Sequence, residues 1–236
     1  MDSILKKVVA SASFYKTEML NIDYKQAEFC YRSLKKHFKG DIACELGPST
    51  GYMTKLLLND FKELDIVEGA ADLLELIPDN PKLTKYHSLF EDFVPARKYD
   101  TLIMNHILEH IANPVEVLLK VSQWMHADSV FLIGVPNAKS FHRLAAVKMG
   151  LLSSEYDLND RDIALGHYRV YDLNSLMADA TRAGLKIIDK GGVFLKFLSN
   201  AQIDKVFDEK MITAFYELSE NFPENAAEVY IVCQKE

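Results

Sequence analysis

The chain contains seven histidines, of which His106, His110, His142 and His167 are the candidates for the ligand side of the fold. An imidazole exchanges a proton near neutral pH, so each can serve as a base or, unprotonated, as a metal ligand. His106, Glu109 and His110 spell H-x-x-E-H, which is also a zinc-peptidase pattern. Peptidase chemistry needs that motif inside a long helix, with a further carboxylate ligand elsewhere. Here an apolar run, Tyr99 to Met104, leads straight into it and Pro114 opens the next helix, so a peptidase is not expected. A divalent metal on His106, Glu109 and His110 stays as an alternative. The plainer reading is that Glu109 and His110 fix a loop by hydrogen bonds. A second candidate is Glu45-Leu46-Gly47-Pro48-Ser49-Thr50-Gly51. Two glycines with small residues between them let a backbone turn sharply against a ligand at a helix N-terminus. The middle glycine of the dinucleotide fingerprint is absent, and Glu45 adds negative charge that suits an ammonium or sulfonium better than a pyrophosphate. Glu68, roughly twenty residues past that turn, is placed to accept hydrogen bonds from ribose hydroxyls. Together the turn and the carboxylate point to a nucleoside held without a pyrophosphate.

These residues need elements to position them, and the hydrophobic pattern supplies a regular set. Residues 24–38 have helical spacing (Ala27, Tyr31, Leu34, Phe38) and stop at Lys39-Gly40. Strands are predicted at 41–46, 64–67, 83–87, 99–104, 130–135, 185–188 and 228–233. Helices are predicted at 52–58, 70–77, 115–126 and 173–183, the last capped by Asp172 and closed by Gly184. Strands alternating with helices indicate an α/β doubly wound, Rossmann-like sheet of about seven mostly parallel strands, the last antiparallel. In such a sheet ligands sit outside the carboxyl ends of the strands, where strand order reverses. The glycine turn, Glu68 and the His106 segment each directly follow a strand.

Composition narrows the partners. At 236 residues one domain with an excursion is favoured, and 49% hydrophobic with 26% charged residues is the balance of a globular protein. The net charge of −7 argues against nucleic acid, and no apolar run is long enough to span a membrane. The first ten residues are too weakly apolar for a signal peptide. Cys30, Cys44 and Cys233 lack metal-ligand spacing and read as buried, reduced thiols, so a cytoplasmic location is expected.

A resemblance rests on the order of several motifs. Glu45-x-Gly47-x-x-x-Gly51 is followed by Val67-Glu68-Gly69, by Phe90-Glu91-Asp92-Phe93, and by Tyr99 through Pro114. Val135-Pro136-Asn137 and Gly166-His167-Tyr168-Arg169-Val170-Tyr171 complete the series. From about residue 40 to 190 the chain resembles class I S-adenosylmethionine-dependent methyltransferases, nearest to small-molecule and ubiquinone-biosynthesis O-methyltransferases. The resemblance implies that Glu45 and Gly47 lie against the methionine part of the cofactor and that Gly51 opens the helix. It also implies that Glu68, with Gly69 beside it, holds the ribose, and that Leu89 and Phe90 flank the adenine. Asn105 and His106 would sit under the cofactor. Ser49 departs from the family, in which many members have glycine there, and Leu89 stands where an acidic residue is common. The ubiquinone-pathway relatives have a similar acidic and histidine cluster after the fourth strand, with glutamate in place of His106.

On this reading the chain is a single methyltransferase domain. Residues 1–38 form an N-terminal helical lid, 40–136 the cofactor-binding half, 137–170 an insertion over the acceptor site, and 171–236 the C-terminal half. His110 or His167, with His106 third, would take the acceptor proton. Tyr15, His142, Arg143, Tyr168 and Arg169 would contact the acceptor, and the two arginines could fork onto an anionic group. The expected partner is a small-molecule acceptor, with a homodimer left open. A non-catalytic nucleoside-binding protein and an NAD-type oxidoreductase remain as alternatives.

Overall fold

The computed structural model of the chain describes residues 12–14 and 16–236. In order these form α1 (Asn21–Lys35), β1 (Ile42–Leu46), α2 (Tyr52–Leu57), β2 (Glu63–Glu68), α3 (Ala71–Leu74), β3 (Leu83–His87) and β4 (Tyr99–Asn105). Then follow α4 (Pro114–Ser122), β5 (Met125–Pro136), α5 (Phe141–Lys148), α6 (Asp160–Ala164), α7 (Leu173–Arg182), β6 (Leu185–Val193), α8 (Asn200–Val206), α9 (Glu209–Leu218) and β7 (Glu228–Lys235). The seven strands make one sheet in the order β3-β2-β1-β4-β5-β7-β6. β1 to β5 run parallel, and β7 is antiparallel to both β5 and β6. The chain winds outward from β1 to β3 and then returns to β4, so strand order reverses between β1 and β4. That reversal opens the crevice in which a doubly wound sheet places its ligands.

Alternation along the central strands builds both layers of core. In β5 the side chains of Phe131, Ile133 and Val135 join the cluster holding Trp124 and Leu176, while Val130 and Leu132 join the one holding Phe29, Phe61 and Phe194. Several boundaries differ from the sequence pattern, β6 among them, which runs on to Val193. α1 starts at Asn21 because the Asp23 carboxylate accepts the Leu20 N–H at 2.8 Å and caps the helix early. α3 is only four residues long, and its predicted second half is a turn leading to Pro78. α4 stops at Ser122, since Met125 already pairs with Tyr99 at the start of a β5 that runs to Pro136. Asp172 caps α7 as expected, accepting the Ser175 N–H at 2.7 Å. Cys30, Cys44 and Cys233 are buried free thiols. Among the described residues no helix is long and apolar enough to cross a membrane.

Candidate active site

A cavity of about 340 Å³ lies outside the carboxyl ends of β1, β2 and β4. Its first wall is the glycine turn. Gly47 takes φ +71°, and a Cβ there would stand 2.0 Å from Ile107 Cδ1, so only glycine lets the two loops meet. Ser49 adopts the left-handed φ of +51°, the conformation a glycine would take without strain. Gly51, at φ +79°, packs on Ile77 behind the turn and is not part of the wall. Glu45 is buried in β1 and accepts the Thr54 hydroxyl at 2.6 Å. Burial pushes its pKa up to about 7 and the nearby Glu68 charge adds to this, against the lowering by Thr54. Glu68, at the end of β2, accepts the Ala70 N–H at 2.9 Å. Burial raises its pKa too, opposed by backbone groups of Ala70, Ser49 and Gly69. Gly69, Leu89, Phe90, Asn105 and His106 also line the cavity, so nine of the ten residues singled out for the cofactor share it, Gly51 excepted.

A second wall is polar and comes from distant parts of the chain. His106 follows β4 with φ +58°, held there by its N–H to the Gly134 carbonyl at 2.9 Å. Its Nε2 lies 2.8 Å from Glu228 Oε2 on β7. Burial lowers the His106 pKa, but Glu228 and Glu109 prevail and hold it up at about 9. His106 therefore stands protonated at neutral pH, as a donor and not as the base expected of it. Glu228 also accepts from Gln26 Nε2 at 3.1 Å and from the Cys30 thiol, both on α1. Asn200 Nδ2 donates to Gln26 Oε1 at 3.0 Å and to Asp23, which is paired with Arg161 at 2.9 Å. Nothing local in the sequence marks this chain of contacts, because its members lie up to 202 positions apart. Phe14 and Tyr24 of the expected lid line the cavity; Tyr15 lies outside the described residues.

The third group surrounds His167. Its Nδ1 is 3.2 Å from Asp162 Oδ1, and Arg143 holds the other oxygen of Asp162 at 3.0 Å. Burial raises the Asp162 pKa, but hydrogen bonds from His167 and the Asn159 backbone, with the Arg143 charge, keep its carboxyl down at about 2. Arg143 donates as well to the carbonyls of Glu155 and Asp157, so this buried guanidinium anchors the insertion. Arg169 is similarly spent, on the carbonyls of Leu108, Ile111 and Ala112. Arg143 lines the cavity with its guanidinium already bonded to Asp162, Glu155 and Asp157, and Arg169 is not in the cavity wall. His142 lines the cavity with a buried, unpartnered Nδ1, and burial first, then the Lys196 and Arg143 charges, push its pKa to about 2. His110 and Tyr168 line the cavity, and the His110 and His167 rings meet edge to face at 4.6 Å. Glu109 is buried beside them with both carboxylate oxygens free of hydrogen bonds; its ion-pair contact is His106 Nδ1 at 3.6 Å. His106, Glu109 and His110 do not converge as one metal trio. Among the described residues the potential ligand atoms gather as Glu109 with His110 and His167, and as Cys30 with His106 and Glu228. Asp23, Arg161 and Glu228 also line the cavity with charge and were not singled out by residue type and spacing.

The fold is shared with solved structures of low sequence identity. One is an S-adenosylmethionine-dependent methyltransferase from Mesorhizobium loti, 13% identical, with a TM-score of 0.62 over 88% of this chain and 98% of that one. A second is the N-methyltransferase NodS from Bradyrhizobium japonicum in complex with S-adenosylhomocysteine, 9% identical, with a TM-score of 0.59 over 99% of both chains. A third is 1,6-didemethyltoxoflavin-N1-methyltransferase from Burkholderia thailandensis, 13% identical, with a TM-score of 0.64 over 97% of this chain and 87% of that one. No curated protein sequence matches the chain. The sequence of the family described as "Methyltransferase domain" matches residues 21–190, most of the cavity wall included. The chain belongs to the methyltransferase-domain family.

Proposed function

We propose that this methyltransferase, whose cofactor is S-adenosylmethionine, transfers the methyl group to an oxygen of a small acceptor in the cytoplasm, with nitrogen as the other acceptor atom. The observation that carries the reading is a pair of buried carboxylates, Glu45 and Glu68, at neighbouring strand ends beside the Gly47 turn, neither in an ion pair among the described residues. A buried carboxylate without a counter-charge is costly, and a ligand bringing a cation and two ribose hydroxyls would match both. The residues present therefore fit the cofactor. Glu45 and Gly47 would hold its methionine part, Glu68 its ribose, and Leu89 and Phe90 its adenine. Bound there, it supplies a methyl group on a positively charged sulfur. The missing middle glycine of the turn disfavours the oxidoreductase alternative.

The remaining chemistry falls to the chain's own groups. Asp162 on Nδ1 of His167 fixes a tautomer whose Nε2 is the proton acceptor, with His110 beside it as the second candidate base. General-base assistance of this kind contributes roughly 10²–10⁴-fold. His106, charged on Glu228, orients the acceptor as a donor. α1 and the insertion from α5 to α6 close over the cavity and exclude water. NodS and the toxoflavin enzyme, N-methyltransferases by name, support nitrogen as the alternative acceptor atom. The reading assigns no metal.

Calorimetric titration with S-adenosylhomocysteine and with NAD tests the site. Binding of the first alone is expected, and no uptake of the first would overturn the reading. Glu68→Ala should weaken that binding by about ten- to a hundredfold, the worth of one or two charge-assisted hydrogen bonds. Release of S-adenosylhomocysteine against a panel of hydroxyl and amine acceptors then separates oxygen from nitrogen transfer, and the absence of turnover with all of them would favour a binding protein.

A further inference from the structure

Lys196 lies just past β6, beyond the left-handed Phe194 at φ +63°, and its side chain is enclosed in the wall of the cavity. Its carbonyl accepts the His142 N–H at 3.0 Å, which ties it to the start of α5. Among the described residues nothing hydrogen-bonds its ammonium and no carboxylate pairs with it. The acids whose fields reach it are committed elsewhere: Asp23 to Arg161 and Asn200, Glu228 to His106 and Gln26, Asp162 to Arg143 and His167. Two further polar atoms of the same wall are buried and unpartnered, Asn200 Oδ1 and His142 Nδ1. Asn200 is four positions along the chain from Lys196, and His142 is bonded to its backbone.

A cavity with a surplus cation, an orphaned acceptor and an orphaned ring nitrogen is complementary to an anion that also carries a donor group. We propose that Lys196 anchors the methyl acceptor, and that the acceptor bears an anionic oxygen group, a carboxylate or a phosphate, next to a hydroxyl or amine that donates to Asn200. The assignment rests on the methyltransferase reading of the cavity and supplies the charge that Arg143 and Arg169 do not. It also explains why so polar a wall faces the space left for the acceptor. Burial and Arg161 pull the Lys196 ammonium down to about 8, opposed by Asp23, Glu228 and Asp162, and an arriving anion reverses that depression.

The test uses full-length protein saturated with S-adenosylhomocysteine, titrated calorimetrically with benzoate, phenyl phosphate and benzamide, and with hexanoate, hexyl phosphate and hexanamide. Binding of carboxylates or of phosphates is expected, whichever the acceptor carries, with the amides at least tenfold weaker. Lys196→Met should weaken the anion at least tenfold and Lys196→Arg should recover part of it, with S-adenosylhomocysteine affinity unchanged in both as the check on folding. Anion affinity should also fall between pH 7 and 9.5 in the wild type. His106 titrates in that range and Arg161, His142, Asp23, Glu228 and Asp162 face the same space, so the shallower slope of Lys196→Met isolates the lysine. Amides binding as well as anions, neither anion binding, or an anion affinity unaltered in Lys196→Met would overturn the proposal. Failure of S-adenosylhomocysteine itself to bind would instead remove the reading on which the proposal rests.

Discussion

Burial at Glu45 works against its charged form, and this gives the free protein a pH dependence. Its pKa near 7 lies above the ordinary 4.5, so its contribution to stability is complete below pH 4.5 and is lost as pH rises through 7, about 3 kcal/mol. His106, near 9 against an ordinary 6.5, contributes below pH 6.5 and loses that contribution as pH rises through 9. Asp162 and Asp172, held near 2, titrate below this window. His142, near 2 against an ordinary 6.5, adds stability as pH rises to 6.5, and Lys196, near 8 against 10.5, does so above 8, so the melting temperature of the free protein should fall chiefly between about pH 6.5 and 8. The gain in melting temperature with S-adenosylmethionine should grow from pH 5 to 7.5, as Glu45 becomes the counter-charge. A gain that is flat or shrinking over that interval would remove Glu45 from the cradle. Asp162 acts through His167, and its removal reads out as a tautomer. In Asp162→Asn, ¹⁵N spectra of the imidazoles should show His167 losing its Nδ1-protonated form, whereas a merely structural Asp162 would leave the tautomer in place. The place of Glu45, Gly47 and Glu68 in the cavity wall was legible in the sequence because they sit at the carboxyl ends of β1 and β2. The partners of Arg143 and Arg169 were not legible, since a sequence displays a guanidinium but not the carbonyls it will meet.

Among the elements, the β1–α2 turn is the one whose geometry is least forgiving. Gly47→Ala would place a methyl group against Ile107 at a φ that costs an L-residue about 1–2 kcal/mol. It should lower the melting temperature and weaken S-adenosylhomocysteine more than tenfold, with Gly47→Ala/Ile107→Ala recovering part of both; calorimetry and thermal melts check this. Strand cores and the α7 cap were readable because their signals are local: an apolar run, or Asp172 three positions before Ser175. The short α3 and the extended β5 were not. Their limits are set by a partner strand and by the return to β3, which sequence periodicity does not contain.

For the molecule as a whole, the doubly wound sheet and the end at which its ligand cavity lies followed from alternation alone. The polar wall did not, because α1, β7 and α8 meet only after some two hundred residues of chain have folded between them. That meeting has a consequence at Cys30. Its thiol bonds Glu228 from the buried face of α1, and burial with the Glu228 charge raises its pKa well above that of a free thiol. Alkylation there requires α1 to lift away, so the reaction rate is a clock for breathing of that helix. Cys44 and Cys233, locked mid-sheet, should lag behind. With iodoacetamide in excess, peptide mass spectrometry should find Cys30 modified first, and more slowly once a nucleoside fills the space beneath. Equal rates at all three thiols would mean that only global unfolding exposes them, and that this cover never opens by itself.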